Sequence, residues 1–154
     1  MHIRLVAAGR IRSKEVAALV AEYTTRASRY WELDVVEVKD ESARSRPIAE
    51  VKVREGERLL AAAGSAMIVA CDENGTMFRS GEFAGWLRDE RDGAARDLAF
   101  ILGGAHGLSA ELLGRADACM AFSRWTLPHE LARLVLAEQL YRAGTILRGE
   151  PYHK

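Results

Sequence analysis

The C-terminal end of the chain carries side chains that handle protons and charge. The chain closes on Pro151, Tyr152, His153 and Lys154. A phenol and an imidazole both donate and accept hydrogen bonds and transfer protons. Chain ends are ordinarily polar and tolerant of change. Because the proline also stiffens the approach, we expect this tail to be held against a protein surface or a substrate.

A charged pair lies on the final predicted helix, a few turns before the tail. Glu138 and Arg142 are four residues apart, a spacing that favours an ion pair. The helix around them is apolar over most of its circumference, which predicts burial by the sheet and by a second subunit. A structural ion pair is the simpler interpretation of the two residues.

Two loops between a predicted strand and a predicted helix have the composition of ligand-binding loops. The first begins at Gly103 with the sequence Gly-Gly-Ala-His-Gly, whose glycines allow a sharp turn and a close ligand. It matches neither the dinucleotide nor the phosphate-loop pattern, so a structural turn is an equal alternative. In the second, Ser123 and Thr126 suit an adenine or a ribose, unless Thr126 only caps the next helix.

Short apolar runs alternate with amphipathic segments along the whole chain, which predicts an α/β fold with a parallel sheet flanked by helices. We predict strands over 2–8, 33–38, 66–71, 98–102 and 117–122, and helices over 14–30, 49–63, 80–91, 109–113 and 128–147. Ligands bind at the carboxyl ends of such strands. The loops 72–78, 103–108 and 122–128 should therefore lie close together.

Composition sets broad limits on the class of protein. With 154 residues, 49% of them apolar, we expect a single domain over 1–154. The net charge is zero, so no global field indicates nucleic acid or a membrane, although the segments 1–30 and 122–154 are each basic. The 18 arginines and 4 lysines weakly favour RNA, because arginine binds phosphates and stacks on bases.

Cysteine and histidine usage gives no sign of a metal centre. Cys71 and Cys119 lie in apolar strands without metal-ligand spacing, and no histidine pattern supports a metal site. We expect two buried thiols in a reducing cytoplasm, no secretory segment and no membrane span.

Four motifs, taken in order, resemble one family along the full length of the chain. They are Gly103-Gly-x-x-Gly-Leu, Ser123-Arg-Trp-Thr-Leu-Pro-His, Glu138-Gln-Leu-Tyr-Arg-Ala and Gly149-Glu-Pro-Tyr-His-Lys. Together they are similar to the RlmH-type (YbeA-like) SPOUT methyltransferases. The resemblance implies a SPOUT fold with a C-terminal trefoil knot, a homodimer and S-adenosylmethionine as cofactor. It also implies methylation of N3 of a pseudouridine in 23S rRNA of the assembled ribosome.

The resemblance also implies which residues form the site. Carried over by motif position, the cofactor contacts fall on Cys71, Gly103, Phe122, Ser123, Arg124, Trp125, Thr126 and Leu127. Cys71 and Trp125 depart from the more usual Leu and Met, which affects pocket shape more than chemistry. Tyr152 and His153 are the candidates for proton handling, and Arg142 for stabilising a developing anion. A tail that only binds RNA is the alternative.

Three other functions compete with this interpretation. The chain could methylate another RNA such as a tRNA, or it could be a ribosome-binding factor without catalytic activity. A Rossmann-like nucleotide binder is disfavoured, because the segment from Ala8 to Arg12 lacks its glycine pattern. Because positively charged side chains bind the phosphates of RNA, we expect Arg124 and Arg133 to contact RNA.

Overall fold

The fold is a parallel sheet covered by helices on both faces. A computed structural model describes residues 1–44, 46–93 and 96–154. The strands are β1 (His2–Ala8), β2 (Glu32–Val38), β3 (Met67–Met77), β4 (Leu98–Leu102) and β5 (Ala118–Ala121). The helices are α1 (Lys14–Ala27), α2 (Ile48–Ala63), α3 (Ser80–Asp92), α4 (Ala110–Arg115) and α5 (His129–Leu147). All strand pairs are parallel, in the order β2-β1-β4-β3-β5, so the predicted α/β class is confirmed.

The helices divide between the two faces of the sheet. Helices α1, α3 and α5 cover one face, where Phe100 of β4 packs among side chains such as Leu87 and Leu140. Helices α2 and α4 cover the other, where Ile101 packs against Leu59 and Leu112. All five residues of β4 are buried, as expected for a strand covered on both faces.

Strand β3 is longer than the sequence indicates. The predicted turn over 72–75 lies within it, because β3 pairs with β5 on both sides of an irregularity. Cys71 and Thr76 both lie in register with Met120, so the residues between them form a bulge. The hydrogen-bonding partner of the end of β3 is β5, which is far away in sequence, so no local signal in the sequence reveals this pairing. The trefoil knot implied by the resemblance stays a prediction.

Most other boundaries agree with the sequence to within a few residues, including β1 and β4, which match completely. Helix α1 ends at Ala27 rather than at residue 30, and Arg79 rather than Ser80 is the N-cap of α3. The predicted exposed loop over 39–48 includes residue 45, which lies outside the described residues.

The N-terminal part of α5 is fastened to the beginning of the chain. The Glu130 carboxylate accepts hydrogen bonds from the backbone N–H groups of Arg12 and Ser13 at 2.7 and 3.3 Å. Further along, the Trp31 indole N–H donates to the carbonyl of Leu140 at 2.9 Å. These bonds fix α5 beside α1 and thereby fix the loop that precedes α5.

We expect Gly75→Ala to destabilise the protein by about 2–3 kcal/mol, the range for overpacked sites. An added Cβ would lie 2.5 Å from the carbonyl carbon of Met120 and 2.6 Å from its nitrogen, and backbone cannot move aside as a flexible side chain can. Urea denaturation measures the loss. Gly81→Ala is the control, because nothing lies within 4 Å of its Cβ position. Equal stability of both variants would contradict the close packing of the bulge.

Candidate active site

The irregular segment 72–75 within β3 and the loops that follow β4 and β5 enclose a cavity of about 480 Å³ at the carboxyl edge of the sheet. This is the place that the parallel-sheet rule predicts. Seven of the eight predicted cofactor residues line it: Cys71, Gly103, Phe122, Ser123, Trp125, Thr126 and Leu127. Arg124 is exposed and does not line it. The cavity therefore unites most of the predicted contacts, whose role in cofactor binding stays a prediction.

The glycine-rich loop after β4 forms one wall of this cavity. The Gly107 N–H donates to the Gly104 carbonyl at 3.1 Å, and Gly107 has a φ of +78° that glycine adopts without strain. A Cβ on Gly103 would lie 2.7 Å from the carbonyl carbon of Gly107. The loop is thus a tight structural turn whose backbone also lines the cavity, and its role in ligand binding stays a prediction.

Side-chain hydrogen bonds shape the loop after β5. The Ser123 hydroxyl donates to the Trp125 carbonyl at 2.7 Å and accepts from the Trp125 N–H at 3.0 Å. The Thr126 hydroxyl donates to the Glu73 carboxylate at 2.7 Å. Helix α5 has Pro128 as its N-cap without a side-chain cap. The capping role considered for Thr126 is therefore wrong, and Thr126 instead connects two walls of the cavity.

Several cavity residues escaped the sequence analysis. Lys52 reaches the cavity from α2, and no local signal links that helix to the later loops. Asp72 and Glu73 lie in the part of β3 that the sequence predicts as a loop at the site, where the local pattern singles out neither residue. His129 follows Pro128 at the start of α5, and it also lines the cavity.

Burial controls the protonation of two cavity side chains. It raises the pKa of the Cys71 thiol, with the neighbouring Cys119 adding to the effect, so the thiol stays protonated. Burial also lowers the pKa of His129, and the Arg133 guanidinium lowers it further. At neutral pH the cavity wall therefore presents a neutral thiol and a neutral imidazole.

The three predicted catalytic residues form one cluster around Glu138. The Arg142 Nε and Nη2 groups donate to Glu138 Oε1 at 3.0 and 2.6 Å, which confirms the predicted ion pair. The Tyr152 hydroxyl donates to the same oxygen at 3.0 Å, and the Arg142 guanidinium lies 4.7 Å from the centre of the Tyr152 ring. His153 is exposed, with Nδ1 at 3.4 Å from Arg142 Nη1. The tail is held against α5 of its own chain.

Tyr152 is set up as a hydrogen-bond donor rather than as a base. Burial raises the pKa of its phenol, and the hydrogen bond to the Glu138 carboxylate acts in the same direction. The phenol therefore stays protonated at neutral pH. Of the two proton-handling candidates, only the His153 ring, whose two nitrogens can each donate or accept, remains a candidate base.

The C-terminal cluster lies far from the cavity of its own chain. Ala132 lines the cavity and Arg142 follows ten residues later on the same helix. At 1.5 Å per residue, the two are about 15 Å apart along the helix axis. The structure thus brings together the predicted cofactor residues and, separately, the predicted catalytic residues, without bringing the two groups to each other within one chain.

Arg133 does not have the RNA-facing position expected for it. Its side chain is 3% exposed, and Nη2 donates to the carbonyls of Ala8 and Gly9 at 2.5 and 2.9 Å. Its Nη1 group lies 3.1 Å from Glu37 Oε1. The expected RNA contact is therefore wrong for Arg133, because the guanidinium is used inside the fold.

The described residues contain neither a cluster suited to a metal ion nor a helix suited to a membrane. Over 1–44, 46–93 and 96–154, no three His, Cys, Asp or Glu side chains are grouped closely enough to hold a metal ion. Within the same ranges, no helix has the length and apolar character needed to cross a membrane.

We expect His129 to make stability pH-dependent on the acid side of neutrality. Its pKa is lowered below the ordinary 6.5 in the folded state, so the unfolded chain binds the proton more tightly. Stability is then lost as pH falls below about 6.5. Urea denaturation at about pH 7.5 and about pH 5.5 should show a smaller loss for His129→Asn than for the parent. Identical losses would exclude His129 as the cause. The carboxylate of Glu130, with its lowered pKa, titrates only below this range.

Comparisons with known proteins agree with this fold. A family model described as predicted SPOUT methyltransferase matches residues 1–153. Two relatives named ribosomal RNA large subunit methyltransferase H, from Gemmatimonas aurantiaca and Anaeromyxobacter sp., are 49% and 47% identical over 155 residues. Each of these matches covers 100% of both chains.

Solved structures share the fold at low sequence identity. A probable methylase family protein from Haemophilus influenzae matches with a TM-score of 0.59 at 14% identity, over 99% of this chain and 70% of its own. A probable methyltransferase from Bordetella pertussis matches with a TM-score of 0.55 at 15% identity, over 92% of this chain and 95% of its own. The chain therefore belongs to the SPOUT methyltransferase family and, within it, to the proteins named ribosomal RNA large subunit methyltransferase H.

Proposed function

We propose that the protein is an S-adenosylmethionine-dependent methyltransferase that modifies N3 of a pseudouridine in 23S rRNA. Its substrate is the assembled ribosome, and its place of action is the cytoplasm. The observation that carries the proposal is the cavity built by the irregular segment of β3 and the loops after β4 and β5, which seven predicted cofactor residues line. The full-length similarity to proteins named for large-subunit rRNA methylation supports the choice of substrate.

The cavity has the size and the donor set that S-adenosylmethionine requires. Its volume lies in the range of ligand sites, about 300–1,000 Å³. The Lys52 ammonium suits the cofactor's carboxylate, and the carboxylates of Asp72 and Glu73 suit its ammonium and sulfonium charges. Apolar side chains such as Leu127 and the backbone of the loop after β5 suit the adenine. The residues present therefore fit the cofactor.

When bound, the cofactor supplies a methyl group that is already activated on a sulfonium. The protein has to align the acceptor nitrogen with the methyl carbon and remove the imide proton, since a protonated nitrogen has no usable lone pair. The protonated Cys71 suits this site, because a thiolate in the same wall would compete for the methyl group.

The C-terminal cluster supplies groups for the second task. The exposed His153 ring accepts the imide proton, while the N–H groups of Arg142 that do not bind Glu138 donate to the oxygen on which the negative charge develops. The single O–H of Tyr152 donates to Glu138 Oε1, so Tyr152 and Glu138 together hold the Arg142 guanidinium in a fixed orientation. The alternative, in which the tail only binds RNA, predicts that these three side chains affect affinity without affecting turnover.

We propose that the active unit is a homodimer in which each tail completes the cavity of its partner. The separation of about 15 Å between the cluster and the cavity along α5 argues against a site made within one chain. Exposed apolar side chains are available for such an interface near the start of α5. They are Met77, Phe78, Trp125 and Leu131.

The proposal is tested by methyl transfer from labelled S-adenosylmethionine. We expect assembled ribosomes to accept a methyl group on N3 of a pseudouridine in 23S rRNA, and free 23S rRNA and tRNA to accept far less. Transfer to tRNA would instead identify a SPOUT enzyme with another substrate. Binding to ribosomes without affinity for the cofactor in calorimetry would identify a non-catalytic factor.

Truncation after Gly149 should leave cofactor affinity within about twofold and lower kcat by a factor on the order of 100 or more, as expected for lost proton transfer. Ala105→Trp should instead lower the affinity for the cofactor, because this exposed residue lines the cavity and a large ring there would exclude the cofactor. Each variant alone is expected to be inactive on ribosomes.

Mixing the two variants distinguishes a tail that acts on its own chain from one that acts on the partner. A heterodimer of the truncated chain and the Ala105→Trp chain contains one intact cavity and one intact tail on different chains. Recovery of activity after co-refolding is the expected result. A mixture that stays inactive while heterodimers form would contradict a shared site, and full activity of the truncated chain would exclude a catalytic tail.

A further inference from the structure

A second cleft, of about 500 Å³, opens at the same carboxyl edge of the sheet as the cofactor cavity. It lies where β1 and β2 end, and its walls include Arg10, Arg12 and Lys39. All three side chains are exposed. Arg10 and Arg12 belong to the basic segment 1–30. The proposed reaction makes no use of this cleft.

The three cations of the cleft are not neutralised by the fold. Among the described residues, none of them lies within 4.0 Å of a carboxylate, although Glu37 and Asp40 also line the cleft. Glu37 is paired with the buried Arg133. Several arginines elsewhere on the surface are paired, as Arg88 is with Asp89 at 2.9 Å. A chain of zero net charge thus keeps a local excess of positive charge at this edge.

The position of the cleft indicates that its ligand is a polyanion that extends from the cleft to the cofactor cavity. Strand β1 is separated from β3 only by β4. Ala7 of β1 and the cavity residue Cys71 of β3 both pair with Leu102 of β4, so with adjacent strands about 4.8 Å apart they lie roughly 10 Å from each other. A nucleic-acid strand whose target base enters the cavity needs only a few nucleotides to span the distance to the cleft. Arginine and lysine are the residues that bind its phosphates.

We propose that Arg10, Arg12 and Lys39 form a phosphate-binding strip for the RNA strand that flanks the target nucleotide. The proposal rests on the proposed function for the identity of the RNA. The strip supplies affinity and register without reading sequence, since phosphate contacts carry no base information.

The test is the salt dependence of binding by full-length protein. The triple variant Arg10→Ala, Arg12→Ala, Lys39→Ala should bind ribosomes at least about tenfold more weakly at low salt. The slope of log affinity against log salt should fall by about 2, since each single-strand phosphate contact contributes about 0.7. The three side chains make no hydrogen bond or ion pair within the described residues, so the variant should fold, and cofactor affinity should be unchanged.

The matched control is Arg88→Ala with Arg91→Ala, which removes exposed arginines paired with Asp89 and Asp92 on α3. Its affinity and salt slope should equal those of the parent. An unchanged slope in the triple variant would overturn the strip. So would weaker binding to ribosomes combined with unchanged binding to the isolated 23S stem-loop RNA, which would indicate a protein partner. Failure of the parent protein to transfer methyl groups would contradict only the proposed function. The phosphate-binding strip is tested separately, by the salt dependence of ribosome binding.

Discussion

The buried guanidinium of Arg133 is the interaction on which the arrangement of the site depends. It reaches from α5 to the carboxyl end of β1, where it is the donor to two consecutive backbone carbonyls and the partner of Glu37. Burial lowers the pKa of this arginine, yet the guanidinium stays charged because its ordinary pKa is so high. Breaking such a buried pair by removing one partner costs about 3–5 kcal/mol in other proteins. A charge that is this costly to bury fixes one placement of α5.

The placement of α5 in turn determines both halves of the proposed site. Its first turn carries His129 and Ala132 into the cavity, and the loop before it contributes the walls that Ser123 and Thr126 shape. Its second half carries Glu138 and Arg142, against which the tail packs. Because one rigid helix holds Ala132 and Arg142, the distance between them is fixed by helix geometry. The proposal of a site shared between two chains rests on that constraint.

The sequence predicts those features that depend on local patterns. The strand at Leu98–Leu102 is a continuous apolar run, the strand at His2–Ala8 is mostly apolar, and the Glu138–Arg142 pair follows from helical spacing. Features that depend on remote partners are the ones it misses. Strand β3 is lengthened by pairing with β5, and Thr126 binds Glu73 rather than capping a helix. The burial of Arg133 follows from carbonyls more than a hundred residues away, so charge counting alone assigned it to the surface.

The separation of cluster and cavity also has a chemical advantage for the proposed enzyme. An activated methyl group alkylates any nucleophile held against it, and a phenol and an imidazole are both nucleophiles. Within one chain, Arg142, against which Tyr152 and His153 lie, is about 15 Å along α5 from Ala132 in the cavity wall, and Cys71 in that wall is kept protonated by burial. In the proposed dimer, Tyr152 and His153 would meet the cofactor only across the interface, with the target base between them. In an isolated chain the same two groups would lie away from the methyl group, so geometry, and not a weakened nucleophile, would protect them from methylation.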